Sequence, residues 1–195
     1  DGTKIAFATD RDGRAPAMGS QASGLPRLAA FGSELYVMNA DGTNQTRLTF
    51  NTAFDGNPTW SADGTKIAFQ SNTDGDHEIY VINADGKDLT QLTDNTRLDV
   101  LPAWSPDGLR IAFASNRPNT GFLPEVDHDW DIYFMKPDGN EQLNLTDNFG
   151  IDFTLPSWSP DGRYLAFDGR YAGGFLGAKG NNEIYAMPMG GLYSF

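Results

Sequence analysis

The sequence predicts an all-β protein, a β-propeller whose blades are four-stranded antiparallel sheets. Two observations carry this. A phrase recurs as PTWSADGTKIAF from Pro58, PAWSPDGLRIAF from Pro102 and PSWSPDGRYLAF from Pro156, and the chain opens inside another copy with DGTKIAF. After each phrase comes Glu/Asp-Ile/Leu-Tyr, and in three copies a Leu-Thr closes the unit. The Asp-Gly of the phrase falls at Asp1, Asp63, Asp107 and Asp161, spacings of 62, 44 and 54. Short strands and tight turns repeated at about 40–50 residues are how blades are written along a chain.

Each element has its own reason. Strand A of a unit is Pro-x-Trp-Ser, which the first copy lacks. Strand B is KIAFAT, KIAFQS, RIAFAS and YLAFDG in the four copies, and strand C is ELYVMN, EIYVIN, DIYFMK and EIYAMP. Strand D is TRLT, QLT and LNLT, with LYSF in that place at the end of the fourth copy. Asp-Gly joins A to B and, in three copies, C to D. Its Asp bonds its own backbone and its Gly supplies a positive φ. Strand C is apolar on both faces: Ile79 and Val81 point one way, Tyr80 and Ile82 the other. A sheet with one wet face would alternate, so these sheets stack face to face. The units span about 1–49, 50–93, 94–146 and 147–195 of a single propeller domain, 1–195. Fifteen strands do not close a ring comfortably, so we expect part of a larger or multi-subunit propeller, with further native sequence upstream.

On these residues, with tryptophan at Trp60, Trp104 and Trp158, the chain resembles the WD40-like PD40 repeat of TolB-type propellers over almost its whole length. The resemblance implies six or more blades in the complete ring. It also implies that a peptidase or a polysaccharide lyase is a possible setting, since TolB-like propellers occur beside or within both. One fold hosts many activities, so function has to come from the sites.

Composition narrows the classes. Lys and Arg number 14 against 26 Asp and Glu, a net charge of −12, which disfavours nucleic acid and anionic membrane surfaces as partners. There is no cysteine, hence no disulfide and no thiolate metal site. No apolar run reaches the roughly 18 residues of a membrane span.

Variation concentrates in the B–C loops. From the residue after the strand-B phenylalanine they hold 26, 8, 17 and 15 residues in copies one to four. Those loops carry Met18, Leu25, Leu28 and Phe31, then Gly121-Phe122-Leu123 and Gly174-Phe175-Leu176, with Trp130 and Tyr171 nearby. Two readings are open: satellite cores under long loops, or a partner surface anchored by Phe122, Leu123, Trp130, Tyr171, Phe175 and Leu176.

A carboxylate precedes each strand A: Asp55, Asp99 and Asp152. These form either local turn caps or an acidic mouth to the central channel that would attract a cation or a basic segment. Arg11, Arg117 and Arg170 follow strand B, and Glu34, Asp131 and Glu183 open strand C. Each arginine is expected to clamp the acid across its B–C pair; copy two has Thr73 instead, leaving Glu78 without such a partner.

Alternating oxygens at Asp74 and Asp76, and at Asp127 and Asp129, suit a hard cation such as Ca2+, but neither stretch fits the twelve-residue helix–loop–helix pattern, and solvated loop acids explain them more cheaply. No cofactor is expected. His77 and His128 are the only histidines, and no Gly-x-Ser-x-Gly elbow occurs. Asn44 and Asn144 begin N-glycosylation sequons.

The sequence thus points to a non-enzymatic interaction or surface-assembly module, acting in the periplasm or at the cell exterior. Its working face would carry residues 14–33, 118–130 and 171–182. The partner expected is a protein or further copies of the chain, with no nucleic acid and no membrane insertion. A carbohydrate-binding or carbohydrate-active propeller, with Phe122, Trp130, Tyr171 and Phe175 stacking on sugars, is the alternative, as is the propeller domain of a larger peptidase.

Overall fold

The computed structural model describes residues 2–11, 32–118, 130–146, 151–171 and 182–190. They form four antiparallel sheets, each with its strands in chain order. The first holds β1 (Lys4–Thr9), β2 (Glu34–Asn39) and β3 (Thr46–Arg47). The second holds β4 (Asp55–Trp60), β5 (Lys66–Ser71), β6 (Glu78–Asn83) and β7 (Thr90–Gln91). The third holds β8 (Asp99–Trp104), β9 (Ile111–Ser115), β10 (Asp131–Met135) and β11 (Leu143–Asn144). The fourth holds β12 (Ile151–Trp158), β13 (Tyr164–Tyr171) and β14 (Asn182–Pro188). There is no helix among the described residues, and none long and apolar enough to cross a membrane. The LYSF segment read as the last strand D lies outside the described residues.

The Ser-x-Asp-Gly turns form as their chemistry dictates. Asp63 Oδ1 accepts Ser61 Oγ at 2.6 Å and Thr65 N at 3.0 Å, and the pattern repeats at Ser105–Asp107 and Ser159–Asp161. The hydrogen bond from Ser61, then those from Thr65, hold the Asp63 carboxyl down at about 2. Gly64, Gly108 and Gly162 follow with φ of 69°, 74° and 70°, which a side chain would resist.

Strand A departs from the sequence expectation. It starts at or beside the acid, three to five residues before the Pro-x-Trp pair's proline is reached, not at the proline itself. The ladder crosses the proline through a bulge, with the register shifting between Gly56 and Thr59, Val100 and Ala103, and Thr154 and Ser157. A proline has no N–H to give the ladder, and a bulge is where a strand tolerates that. The residue before each proline, Asn57, Leu101 or Leu155, takes a left-handed φ of 51°, 56° or 53°. Gln70 Oε1 ties two of these bulges together, accepting Asn57 Nδ2 at 2.8 Å and Leu101 N at 3.0 Å.

The sheets stack face to face, and the apolar core is divided into three seams. Leu35, Val37 and Leu48 of the first sheet meet Ile67, Phe69, Tyr80 and Ile82 of the second. The opposite face of the second, Ala68, Ile79, Val81 and Leu92, meets Trp104, Ile111, Phe113 and Met135 of the third. Ala112, Ala114, Ile132 and Phe134 then meet Phe153, Leu165, Phe167 and Met189. The two faces of strand C are thus used as their alternation predicts. Ile184 breaks the series. Its counterparts Leu35, Ile79 and Ile132 are 1%, 0% and 0% exposed, whereas Ile184, on the outer face of the fourth sheet, is 80% exposed.

Candidate functional site

Strand direction places the B–C connections at one end of every sheet. At that end Thr9 faces Glu34, Ser71 faces Glu78 and Ser115 faces Asp131. All the long insertions, 12–31, 119–129 and 172–181, fall there and lie outside the described residues. Phe122, Leu123, Phe175 and Leu176 are among them, as are Asp127, Asp129 and His128; of Tyr171 the structure describes the backbone, paired with Ile151.

At the same end of the sheets runs a repeated buried polar ladder. The threonine of each Leu-Thr accepts the N–H of the first apolar residue of strand C: Leu35 N to Thr49 Oγ1 at 2.9 Å, Ile79 N to Thr93 Oγ1 at 2.8 Å, and Ile132 N to Thr146 Oγ1 at 2.9 Å. An asparagine two residues on then joins the strand-C acid to the next sheet. Asn95 N bonds Glu78 Oε1 at 2.7 Å, and Asn95 Nδ2 bonds Asp99 Oδ2 at 2.9 Å. Asn51 Nδ2 likewise bonds Asp55 Oδ2 at 2.7 Å. Asn72 and Asn116, just after strand B, each receive a backbone N–H of the connection into strand A, from Phe54 and Leu98. In the sequence the Leu-Thr pairs read only as strand D, with no bonding role for these threonines or these asparagines. The recurring Leu-Thr-x-Asn was the signal for the threonines and for Asn51 and Asn95, visible at Leu48–Asn51, Leu92–Asn95 and Leu145–Asn148, and an asparagine just after strand B the signal for Asn72 and Asn116.

Asp55 and Asp99 sit inside this ladder, fully buried, with Oδ1 of each lacking a hydrogen-bond partner among the described residues. Asp152 is half-buried and accepts Trp130 N at 3.0 Å. Trp130 is half-buried and packs against the seam between the third and fourth sheets.

The arginines differ from one another. Arg117 reaches strand A, where Nη2 pairs with Asp99, and Nη1 bonds Gln142 Oε1 at 2.5 Å. Asp131, the acid across its B–C pair, receives Thr146 Oγ1 at 2.7 Å and Asn144 Nδ2 at 3.0 Å. Strand A begins at the acid, so Asp99 stands opposite Ser115 and within reach of the arginine two residues further on. Arg11 bonds Gln45, and the cation beside Glu34 is Arg47, 2.6 Å away. Arg170 is exposed within β13, opposite Asp152 and Asn182, while Glu183 accepts the Tyr185 hydroxyl at 3.2 Å.

Glu78 is the perturbed group. It is fully buried, and the second sheet carries Gln91 and Thr73 where its neighbours carry Arg47 and Arg117. Burial pushes its carboxyl up to about 8; hydrogen bonds from Thr93 and Asn95 oppose the shift, and the nearby Asp99 charge adds to it. His77 is lowered by burial against the opposing effect of Asp76, and its ring meets Phe54 edge-on at 5.5 Å. Asp74 accepts Gln91 Nε2 at 2.5 Å. Among the described residues no group of three acids or histidines is placed to hold a metal ion.

The tryptophans belong to the seams. Trp158 Nε1 crosses from the fourth sheet to Ala103 O of the third at 3.0 Å, Trp104 Nε1 bonds Gly108 O at 3.3 Å, and Trp60 packs between the first and second sheets.

No protein-family model matches the chain. A protein TolB homolog from Chlorobium luteolum is similar, 32% identical over 179 residues that make up 91% of this chain and 36% of that protein. TolB from Acinetobacter baumannii has a similar structure, with a TM-score of 0.63 at 22% identity over 82% of this chain and 36% of that one. A prolyl endopeptidase also shares the fold, with a TM-score of 0.58 at 16% identity over 83% of this chain and 25% of its own. The chain spans between about a third and a half of the length of the TolB proteins it matches. Its four sheets have a TolB-like, PD40-type β-propeller fold.

Proposed function

We propose that the chain is a non-enzymatic protein-interaction or surface-assembly module of a single propeller domain, 1–195, working in the periplasm or at the cell exterior through its B–C loop face. The observation that supports this is the asymmetry of the sheets. Every long insertion leaves from one end, whereas the turns at the other end, such as 61–65, 105–110 and 159–163, keep nearly one length. Variable loops on a rigid scaffold are the usual way to build a recognition surface. Phe122, Leu123, Trp130, Tyr171, Phe175 and Leu176 are the proposed anchors, and Asp55, Asp99 and Asp152 the proposed acidic contribution. Aromatic groups of this kind dominate binding energy when a partner buries them. The partner is a protein or a further copy of the chain.

The test replaces the three long loops with the short connection of the second sheet, residues 72–77, leaving the strands intact. Far- and near-UV circular dichroism should stay native while capture of the partner from a periplasmic or extracellular extract is lost. Capture that survives the loop exchange, or that depends on the opposite turns, overturns the reading. The prolyl endopeptidase neighbour favours a second reading, the propeller domain of a larger peptidase; hydrolase sequence next to this segment in the gene would replace the first reading with that one.

A further inference from the structure

Three of the sheets carry the same ring pair across strands B and C. Phe7 faces Tyr36, Phe69 faces Tyr80 and Phe113 faces Tyr133, with centroids 5.7, 5.9 and 5.7 Å apart and interplanar angles of 26°, 30° and 29°. In the first and third sheets a guanidinium covers the rings. Arg11 lies 5.1 and 4.2 Å from the centroids of Phe7 and Tyr36, and bonds Gln45. Arg117 lies 5.6 and 5.2 Å from those of Phe113 and Tyr133, bonds Gln142, and pairs with Asp99 at the head of β8. The second sheet has Thr73 and Leu89 where the others have the arginine and its glutamine. Its backbone keeps the same course: Arg11 N, Thr73 N and Arg117 N each bond the hydroxyl two residues back, on Thr9, Ser71 and Ser115, at 3.3 Å.

The acid of the site is also kept. Asp55 stands opposite Ser71 as Asp99 stands opposite Ser115, and both are fully buried. Oδ2 of each accepts an asparagine amide, from Asn51 at 2.7 Å and from Asn95 at 2.9 Å, and Oδ1 of each has no partner among the described residues. Arg117 gives Asp99 a further, charged donor; Asp55 has none among the described residues, and a buried carboxylate with so few donors is costly. The charges around Tyr80 are of one sign. Burial first, then Asp74, Glu78, Asp55 and Asp94, push its hydroxyl up to about 12, whereas at Tyr133 Arg117 opposes the acids. The second sheet thus has the rings and the carboxylate of a guanidinium site without an arginine of its own at Thr73.

We propose that the second sheet is a receptor for a guanidinium group from outside the chain, seated on Phe69 and Tyr80 with the Asp55 carboxylate as its partner. Stacked rings favour a flat, weakly hydrated cation over a compact ammonium. Entry displaces the hydrogen bond from Gln91 Nε2 to Asp74 Oδ2, two exposed side chains beside Tyr80. Asp74 is then free to meet the outer side of the cation. The rings and the carboxylate are held in place by the sheet before the ligand arrives, so little ordering is left to bind it. The guanidinium comes either from a small molecule or from an arginine of a partner protein. The site does not rest on the loop-face reading.

The probes are methylguanidinium and an arginine-containing tripeptide blocked at both ends, titrated into the 195-residue chain and followed by NMR of its aromatic rings. Saturable shifts should appear at Phe69 and Tyr80 and not at Phe7, Tyr36, Phe113 or Tyr133. Methylammonium, and the tripeptide with citrulline for arginine, should bind about tenfold more weakly or worse. A tripeptide about tenfold tighter than methylguanidinium assigns the site to a partner's arginine, and equal affinities assign it to a small ligand. Asp55→Asn should weaken binding about tenfold or more. Thr73→Arg, which supplies the cation from within, should abolish the shifts in a chain that stays folded. No saturable shift, equal binding of methylammonium or of the citrulline peptide, or undiminished binding to the Thr73→Arg chain each overturn the proposal. So does a response gained only on Arg14→Gln or Arg27→Gln, since the occupant would then be the chain's own.

Discussion

Glu78 and Asp99 are buried carboxyls on adjacent sheets joined through a single residue, Asn95, which gives its backbone N–H to the first at 2.7 Å and its side-chain amide to the second at 2.9 Å. The second of the pair has a guanidinium against it and the first does not. The two acids thus meet different surroundings, one a buried carboxyl with hydrogen bonds from Thr93 and Asn95, the other with a cation beside it.

A pH dependence of stability follows. Glu78 has its folded value pushed up to about 8 from an ordinary 4.5, so between those limits the folded state binds more protons than the unfolded chain. Its contribution is whole below about pH 4.5 and is lost as pH climbs through 8. Urea unfolding from pH 5 to 9 should show falling stability, and Glu78→Gln should flatten the curve and gain about 1–3 kcal/mol at pH 8. An unchanged slope in the variant would remove Glu78 as its source.

Arg117 and Arg11 should separate in thermal and chemical unfolding. Arg117→Met leaves Asp99 fully buried without its cation, with Asn95 Nδ2 still bonded to its carboxylate, a loss of about 3 kcal/mol. Arg11→Met removes an exposed side chain with no acid against it among the described residues, which costs less than about 1 kcal/mol. Equal losses would mean that ring stacking, common to both, outweighs the charge pair.

Leu155 sits at a φ of 53° and is 57% exposed. Asparagine occupies the same bulge position at Asn57. A left-handed backbone disfavours leucine but is tolerated by asparagine. Leu155→Asn should raise stability by about 0.5–1 kcal/mol, read as a higher urea midpoint with an unchanged m-value. A loss would show that the leucine makes an apolar contact worth more than the strain.

Two glycines with nearly the same φ should respond differently to alanine. A Cβ on Gly42, φ +83°, meets nothing within 4 Å, whereas one on Gly139, φ +84°, meets Leu92 O of the preceding sheet at 2.8 Å. Gly42→Ala should cost about 1 kcal/mol, the left-handed penalty alone. Gly139→Ala adds a backbone clash across the seam, for a total of about 3 kcal/mol. Matching losses would indicate that the third sheet can shift away from the second.

The stacking of the sheets was legible because each strand-C residue shows its destination by alternation: Ile79 to one neighbour, Tyr80 to the other. The turns were legible because Ser61, Asp63 and Gly64 act within four residues of one another. What escaped was everything that crosses between units. The start of strand A at Asp99 was hidden by Pro102, which reads as a strand beginning unless the bulge before it is known. That misplacement sent Arg117 toward Asp131 instead of Asp99. Thr93 reads only as the end of a short strand and Asn95 as a polar residue after it, and only folding sets them against Ile79 N and Glu78.

The division of the core into three seams has a consequence for how the molecule comes apart. The second and third sheets are apolar on both faces, and among the described residues each seam joins a sheet only to its neighbour in chain order. Cooperativity then runs like a zipper along one dimension, from neighbour to neighbour. Opening should begin at a sheet packed on one face alone, as the fourth is among the described residues, with Ile184 80% exposed on its outer side. The amides of β5, β6, β9 and β10, flanked on both sides, should be the last to exchange.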